Sequence, residues 1–314
     1  MNDKIHILIA TYNGEKYLSQ QLDSIFAQSI NNWHILVRDD CSTDNTVEII
    51  EQYAQRYPGK STLLENDGQN VGASQNFAKL LQHSTADYIM FSDQDDIWLP
   101  RKIEVTLAKM TELEGHYGKE KPLLVHTDLK VVDDNLEVIA DSLWDYQLSD
   151  PKRGRELGKV LLQNVATGCS VMINRPLRNQ ALPIPNEAMM HDWWLVLVAA
   201  AFGYVDYFAE PTALYRQHGA SEIGARKWDL KALKTLMNYE RRKTKFEIDM
   251  QRIRRQAGAF LKRYEPVLTI SQKDIMDAFL RLHELNFFKK RYYTIRYGFF
   301  YTGLIRNIGR MLTM

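Results

Sequence analysis

The segment IMFSDQDDIWLP, residues 89 to 100, sets Asp93, Asp95 and Asp96 between an apolar run and a second apolar stretch at Ile97, Trp98 and Leu99. Carboxylates this crowded repel one another and lose hydration, so the arrangement is costly without a positive partner. Asp93 and Asp95, separated by Gln94, have the spacing to hold a hard divalent cation that also binds the phosphate oxygens of a substrate. No G-x-x-x-x-G-K-[ST] segment is present, and no G-x-G-x-x-G follows the first apolar run. A Walker-type loop and a dinucleotide fingerprint are therefore not expected, and phosphate charge would be met mainly by metal.

The elements that must position these acids alternate in type over the first ninety residues. KIHILIA (4–10), WHILVRD (33–39), STLLEN (61–66) and DYIMFS (87–92) read as buried strands. Between them, EKYLSQQLDSIFAQ, DNTVEIIEQYAQRY and GASQNFAKLLQHS carry apolar residues at helical spacing, with Asp44 or Asn45 as cap of the second helix and Glu48 three residues after Asn45. This rhythm predicts right-handed crossovers and a mostly parallel sheet flanked by helices, an α/β class in which ligands bind beyond the carboxyl ends of the strands. Polar residues fall at those ends: Thr11, Tyr12 and Asn13; Asp39, Asp40, Ser42 and Asp44; Asp93 to Asp96. Turn and cap preferences explain any one of these sites, but poorly explain acids gathered on one edge. Further on, 122–132 and 169–174 read as strands, 193–202 as a buried helix, and 203–218 as a strand and turn leading to a strand end.

Composition supports a chain with a full core and one large or two unequal domains: 314 residues, 45% hydrophobic. Net charge of +1 hides an asymmetry. Residues 226–314 hold 21 Lys and Arg against 8 Asp and Glu, a net of +13, and residues 1–225 carry −12. Gly219, Ser221 and Gly224 mark a linker between the two parts. Cys41 and Cys169 make no metal-ligand spacing and read as free thiols of a reducing compartment. The start of the chain lacks a signal-peptide pattern, and the longest weakly polar stretch, WWLVLVAAAFGYV, has 13 residues against the ~20 of a spanning helix. A cytoplasmic protein is expected.

TYNGEKYL, RDDCSTDNT, NVGASQN, SDQDDIW, HDWW and YRQH, in this order across residues 7 to 218, resemble the family 2 glycosyltransferases, inverting enzymes of the GT-A fold that use nucleotide-sugars. FSDQDDIW, LLVHTDLKVV, MHDWW and YRQHGASEIGAR are similar to the bacterial L-rhamnosyltransferases of cell-surface polysaccharide synthesis. The resemblance implies a catalytic domain over 1–225, with a nucleotide-binding half (1–100) and an acceptor and catalytic half (101–225), followed by a basic, aromatic, helical region over 226–314. It implies that Thr11, Tyr12, Asn13 and Glu15 line the nucleotide pocket and that Asp40 accepts the pyrimidine N3–H. Asp39 reads as support for its turn and Asp44 as a helix cap. Asn70, Gly72 and Asn76 match a donor-binding segment, although a turn leading into a helix accounts equally for Asn76.

By the same resemblance, Asp95 is the principal ligand of Mg²⁺ or Mn²⁺, Asp93 lies near ribose and metal, and Asp96 with Gln94 faces the donor. His218 is the third metal or diphosphate contact, and Arg216 binds the diphosphate. Ala220 and Ser221 replace a polar Asn common in relatives. Asp192 falls at the position of the base that takes the acceptor hydroxyl's proton. It also reads as the N-cap of an apolar helix, whose dipole would lower its pKa. Trp193 and Trp194 are expected to be core on one side and sugar-stacking on the other, and His191 a packed, hydrogen-bonded side chain.

The segment from Phe287 to Met314 interleaves eight aromatics with six basic residues. That pattern suits an anionic membrane surface, single-stranded nucleic acid, or a helical cap on the catalytic domain. Because the resembling enzymes act on polyprenyl-linked acceptors, the membrane is favoured and no nucleic acid is expected. The expected activity is transfer of L-rhamnose from dTDP-L-rhamnose to a lipid-linked saccharide at the inner face of the cell membrane. The alternatives are a UDP-hexose or UDP-N-acetylhexosamine donor, and a non-catalytic nucleotide-sugar or nucleic-acid binding module.

Overall fold

A computed structural model describes residues 4–218, 239–303 and 307. The linker expected around Gly219 to Gly224, the boundary at residue 226, and Arg306 and Arg310 lie outside the described residues. The strands are β1 (Ile5–Thr11), β2 (Trp33–Asp39), β3 (Ser61–Leu64), β4 (Tyr88–Ser92), β5 (Ile97–Trp98), β6 (Leu123–Val132), β7 (Val138–Ala140), β8 (Val171–Asn174) and β9 (Tyr204–Arg216). The helices of the same part are α1 (Leu18–Phe26), α2 (Thr46–Arg56), α3 (Ala73–His83), α4 (Lys102–Tyr117), α5 (Leu143–Gln147), α6 (Leu157–Leu162), α7 (Arg175–Ala181) and α8 (His191–Phe202).

All nine strands join one sheet in the order β3-β2-β1-β4-β8-β6-β9-β5, with β7 on β6. The first four pair in parallel, as the strand–helix rhythm predicts, and β8 runs antiparallel to both β4 and β6. Side chains alternate across the sheet, so successive residues feed two cores. Ile5, Ile7, Ile9, Ile35, Val37 and Met90 face α1 and α4, whereas Leu8, Leu36, Ile89 and Phe91 face α3, α6 and α8. The register sets Thr11 beside Asp39 and Ile9 beside Ser92, which brings the polar strand ends to a common edge.

Residues 203–218 differ from the expected strand and turn. Tyr204–Arg216 form one 13-residue strand, β9, whose partner register on β6 jumps from Thr127↔Phe208 to Asp128↔Pro211. Ala209 and Glu210 bulge out there, next to a proline that has no N–H to give the ladder, and the strand then resumes. The resumption carries the chain past β5, pairing Ile97 with Leu214, to end at Arg216 against the acidic segment.

The C-terminal segment is helical, over Tyr239–Tyr264, Ile270–Arg281 and Phe287–Tyr297. Ile253, Ala257, Phe260 and Tyr264 form a helical stripe buried against α8, with the Phe260 ring 5.6 Å from that of Trp194. Thr269 and Gln272 make a capping box for the second of these helices. The third docks on α6 so closely that a Cβ on Gly158 would lie 1.9 Å from the Tyr297 carbonyl oxygen. Thr302 donates its N–H to Gln163 Oε1 at 2.9 Å, and Phe299 is fully buried. No described helix is long and apolar enough to cross a membrane.

Candidate active site

The loop after β1 is tied to its neighbours by its own backbone. Asn13 adopts φ 48°, donates its N–H to Ser42 Oγ at 2.8 Å and accepts the Thr43 N–H at 2.8 Å. Tyr12 exchanges both backbone bonds with the Gln94 amide, each at 2.9 Å, so Gln94 clamps this loop to the acidic segment. Thr11 donates to Asp39 Oδ1 at 2.8 Å, and Asp39 also takes the Ser42 N–H at 2.7 Å, which is the turn support expected of it. Asp44 accepts the Thr46 N–H at 3.1 Å at the start of α2. Glu15, not Glu48, supplies the second carboxylate there, accepting the Asn45 N–H at 3.0 Å.

Asp40 is buried and already engaged. Its carboxylate accepts from Arg38 (3.1 Å), from the Val71 N–H (3.0 Å) and from the Gly72 N–H (2.8 Å). Asn70 donates to the Asp40 carbonyl at 3.0 Å, and Asn76 is buried with its amide on Arg38. The carboxylate expected to accept the pyrimidine N3–H thus also anchors the turn that starts α3, and the Asn76 amide is bonded to Arg38.

Asp93, Asp95 and Asp96 follow β4 and meet the end of β9. Asp95 Oδ2 lies 2.7 Å from His218 Nε2, so the expected pair is brought together. Asp96 is buried; Oδ1 accepts the Arg216 N–H at 3.1 Å and Oδ2 receives no N–H or O–H bond among the described residues. One edge of Asp93 reaches solvent, yet burial and the charges of Asp96, Asp95 and Asp192 push its pKa well up. Burial and Asp95 push Asp96 up to about 7. This is a site short of positive charge, and hard carboxylate oxygens are the donors that Mg²⁺ or Mn²⁺ takes.

Arg216 is engaged within the protein. Only 4% exposed, it donates to the Asp95 carbonyl (2.9 Å), the Asp134 carbonyl (2.8 Å) and Gln20 Oε1 (2.6 Å), and it stacks on Tyr17. Tyr17 in turn hydrogen-bonds the Asp134 carboxylate. The guanidinium, expected at the diphosphate, thus braces the acidic segment against α1 and the β6–β7 hairpin. Arg216→Met should lower unfolding stability by about 2–4 kcal/mol, since three acceptors lose a charged donor. Urea denaturation reads this, and an unchanged midpoint would return Arg216 to ligand binding.

Asp192 is in the first turn of α8 and not at its cap. The helix starts at His191 after Met190, whose side chain makes no capping bond. Asp192 Oδ1 accepts the Trp193 N–H at 2.6 Å, and the carboxylate also accepts from the Gly168 N–H and the Asn164 amide. Burial outweighs these bonds and the helix dipole, and it pushes the pKa up to about 7, opposite to the lowering expected from the dipole alone. A Cβ on Gly168 would lie 3.1 Å from His191 Nε2, tighter than an ordinary contact, and 3.6 Å from Asp192 Oδ2, so the crowding a side chain would meet there comes from the imidazole. Asn164 and Gly168 were not foreseen; the small, polar run QNVATG between two apolar stretches was the available signal.

His191 is packed as expected, between Phe77 and Phe91 at 4.1 and 5.0 Å, but it is not hydrogen-bonded. Neither ring nitrogen has a partner among the described residues, and burial lowers its pKa to about 3, so the ring is neutral. Trp193 and Trp194 are both core, their indole N–H groups on the Val160 (2.7 Å) and Ala181 (3.0 Å) carbonyls. The expected sugar-stacking surface is not found on either.

A family model described as Glycosyl transferase family 2 matches residues 6–116. Over 228 residues the chain is 30% identical to dTDP-rhamnosyl transferase RfbG of Shigella flexneri, covering 69% of this chain and 74% of that one. Staphylococcus aureus TarS 1-349, solved in complex with UDP-GlcNAc, shares the fold with a TM-score of 0.58 at 17% identity, over 88% of this chain and 72% of that chain. The mannosyltransferase PcManGT from Pyrobaculum calidifontis, solved with GDP-Man and Mn²⁺, does so with a TM-score of 0.54 at 16% identity, over 93% and 73%.

Proposed function

The chain belongs to glycosyl transferase family 2, with the GT-A type fold and a nucleotide-sugar donor, and on that footing we propose that it transfers L-rhamnose from dTDP-L-rhamnose to a lipid-linked saccharide, with inversion and with a divalent metal. The observation that carries this reading is the joining of two functions in one cluster: the Asp192 carboxylate is close enough to Asp93 for its charge to raise the latter's pKa. A base near pKa 7 thus stands beside a charge-deficient set of metal-type carboxylates. The 30% identity to RfbG supports the rhamnosyl donor.

In this mechanism Asp95, Asp93 and His218 would hold Mg²⁺ or Mn²⁺. When bound, the ion balances charge on the departing nucleoside diphosphate. Asp192 accepts the proton of the acceptor hydroxyl as that oxygen attacks the anomeric carbon and the sugar–diphosphate bond breaks. Asn164 and Gly168 hold Asp192 in place, while Arg216 and Gln94 keep the acidic segment seated against the loop after β1. A panel of dTDP-L-rhamnose, UDP-galactose and UDP-GlcNAc, with Mn²⁺ or with EDTA, tests the reading. Metal-dependent release of dTDP is expected; turnover of a UDP-sugar alone overturns the rhamnosyl assignment.

The third C-terminal helix serves the lipid side of the proposal. Phe288 and Ile295 are 79% and 62% exposed, beside Phe287, Tyr292 and the run Lys289, Lys290, Arg291. Apolar side chains left open among cations suit an anionic leaflet, each cation near it contributing about 1 kcal/mol. Replacing Lys289, Lys290 and Arg291 by Gln should abolish most pelleting with phosphatidylserine vesicles at low salt while donor hydrolysis is kept. Equal pelleting of variant and wild type would leave the helix as a cap alone.

A further inference from the structure

Cys169 lies beneath the acidic segment, in the turn that leads into β8, and plays no part in the mechanism above. It is a free, buried thiol. A ligand atom from each of Asp93, Asp96 and Cys169 falls within 4.8 Å of the others. Asp96 is 1% exposed, its Oδ2 receives no N–H or O–H bond among the described residues, and the Cys169 thiol lies in hydrogen-bonding contact with the carboxylates of both Asp93 and Asp96. Lys102 completes the surroundings. It is 1% exposed, donates to Thr212 Oγ1 at 2.9 Å, and its charge acts on both Asp96 and Cys169.

We propose that Asp93, Asp96 and Cys169 form a second cation site, selective for a soft divalent ion of the zinc class, which shares Asp93 with the donor-metal site. Ligand type argues for the selectivity. Thiolate favours zinc or cadmium over magnesium and manganese, which Asp95 would hold through hard donors. Charge closes as well: two carboxylates and a thiolate meet one dication and the Lys102 ammonium, leaving the buried cluster neutral. Binding forms a metal–sulfur bond and releases the thiol proton to solvent, with no change of oxidation state. Occupancy draws Asp93 away from the productive ion, so zinc should inhibit; only this consequence rests on the proposed function.

Cadmium alone is the probe. Wild type and Cys41→Ser should each develop the ultraviolet thiolate-to-cadmium charge-transfer band with one equivalent of Cd²⁺, and Cys169→Ser should not. Zinc affinity should fall more than about tenfold in Cys169→Ser, with Mn²⁺ affinity unchanged. Zinc should inhibit donor turnover by wild type and spare the Cys169→Ser variant. A band that persists in Cys169→Ser, or that is absent from wild type, overturns the site. Should that variant not fold, anomalous scattering from zinc-soaked wild-type crystals decides: the ion must stand about 2.3 Å from Cys169 Sγ, and zinc found elsewhere refutes the proposal. A cadmium band without turnover of any sugar nucleotide would reject the glycosyl transfer reading and keep the site.

Discussion

Asp192→Asn should cut kcat by ~10²–10⁴, the usual loss when a positioned base is removed, and leave the fold in place. Asn keeps an oxygen for the Trp193 N–H, and it removes a carboxylate whose ionisation burial disfavours. The sign of the pH effect follows. Because the folded pKa is raised from 3.8 to about 7, this group's contribution to stability is fully present below pH 3.8 and is lost as pH rises to about 7. The stability of the Asn variant relative to wild type should therefore improve between pH 5 and pH 8, read as the difference in Tm. Activity of the wild type should rise through pH ~7 as Asp192 deprotonates, and the residual activity of the variant should lack that limb. Normal turnover by Asp192→Asn would reduce Asp192 to a structural acceptor in the first turn of α8.

Asp95→Asn should lower donor turnover by at least ~10³, the equivalent of several kcal/mol of metal stabilisation, while unfolding by urea changes little. The carboxylate is matched to His218, and the amide keeps its size without the charge that balances a cation. Calorimetry with Mn²⁺ should show binding to wild type and none to the variant. Full wild-type activity in EDTA would remove the metal from the mechanism whatever the variant does.

The parallel half of the fold was legible because β1, β2 and β4 are largely buried on both faces, although the edge strand β3 is not, and because α1 and α3 carry apolar stripes. α4 was not foreseen, because its buried positions include Lys102 and Thr106 beside Ile103 and Met110, and a buried lysine breaks the pattern that burial normally writes. β5 has two residues, too few for any periodicity. The acids of the site were found because Asp93, Asp95 and Asp96 are adjacent in sequence. Their supports were not, since Asn164, Gly168 and Lys102 come from elements brought together only by the sheet. The internal bonds of Arg216 and Asp40 were not legible for a common reason: a charged residue at a strand end looks alike in sequence whether or not it also holds a turn.

The near-contact between Gly158 and the Tyr297 carbonyl carries a geometric result. With no side chain between the two backbones, the helix Phe287–Tyr297 has no lever arm relative to the catalytic sheet. A surface that captures Phe288 and Ile295 would fix both the distance from that surface to Asp192 and the tilt of the cleft. On the proposed lipid-linked acceptor the lock would act as a ruler, so a bulkier residue at 158 should change which length of acceptor is used, before it changes how fast any one is used.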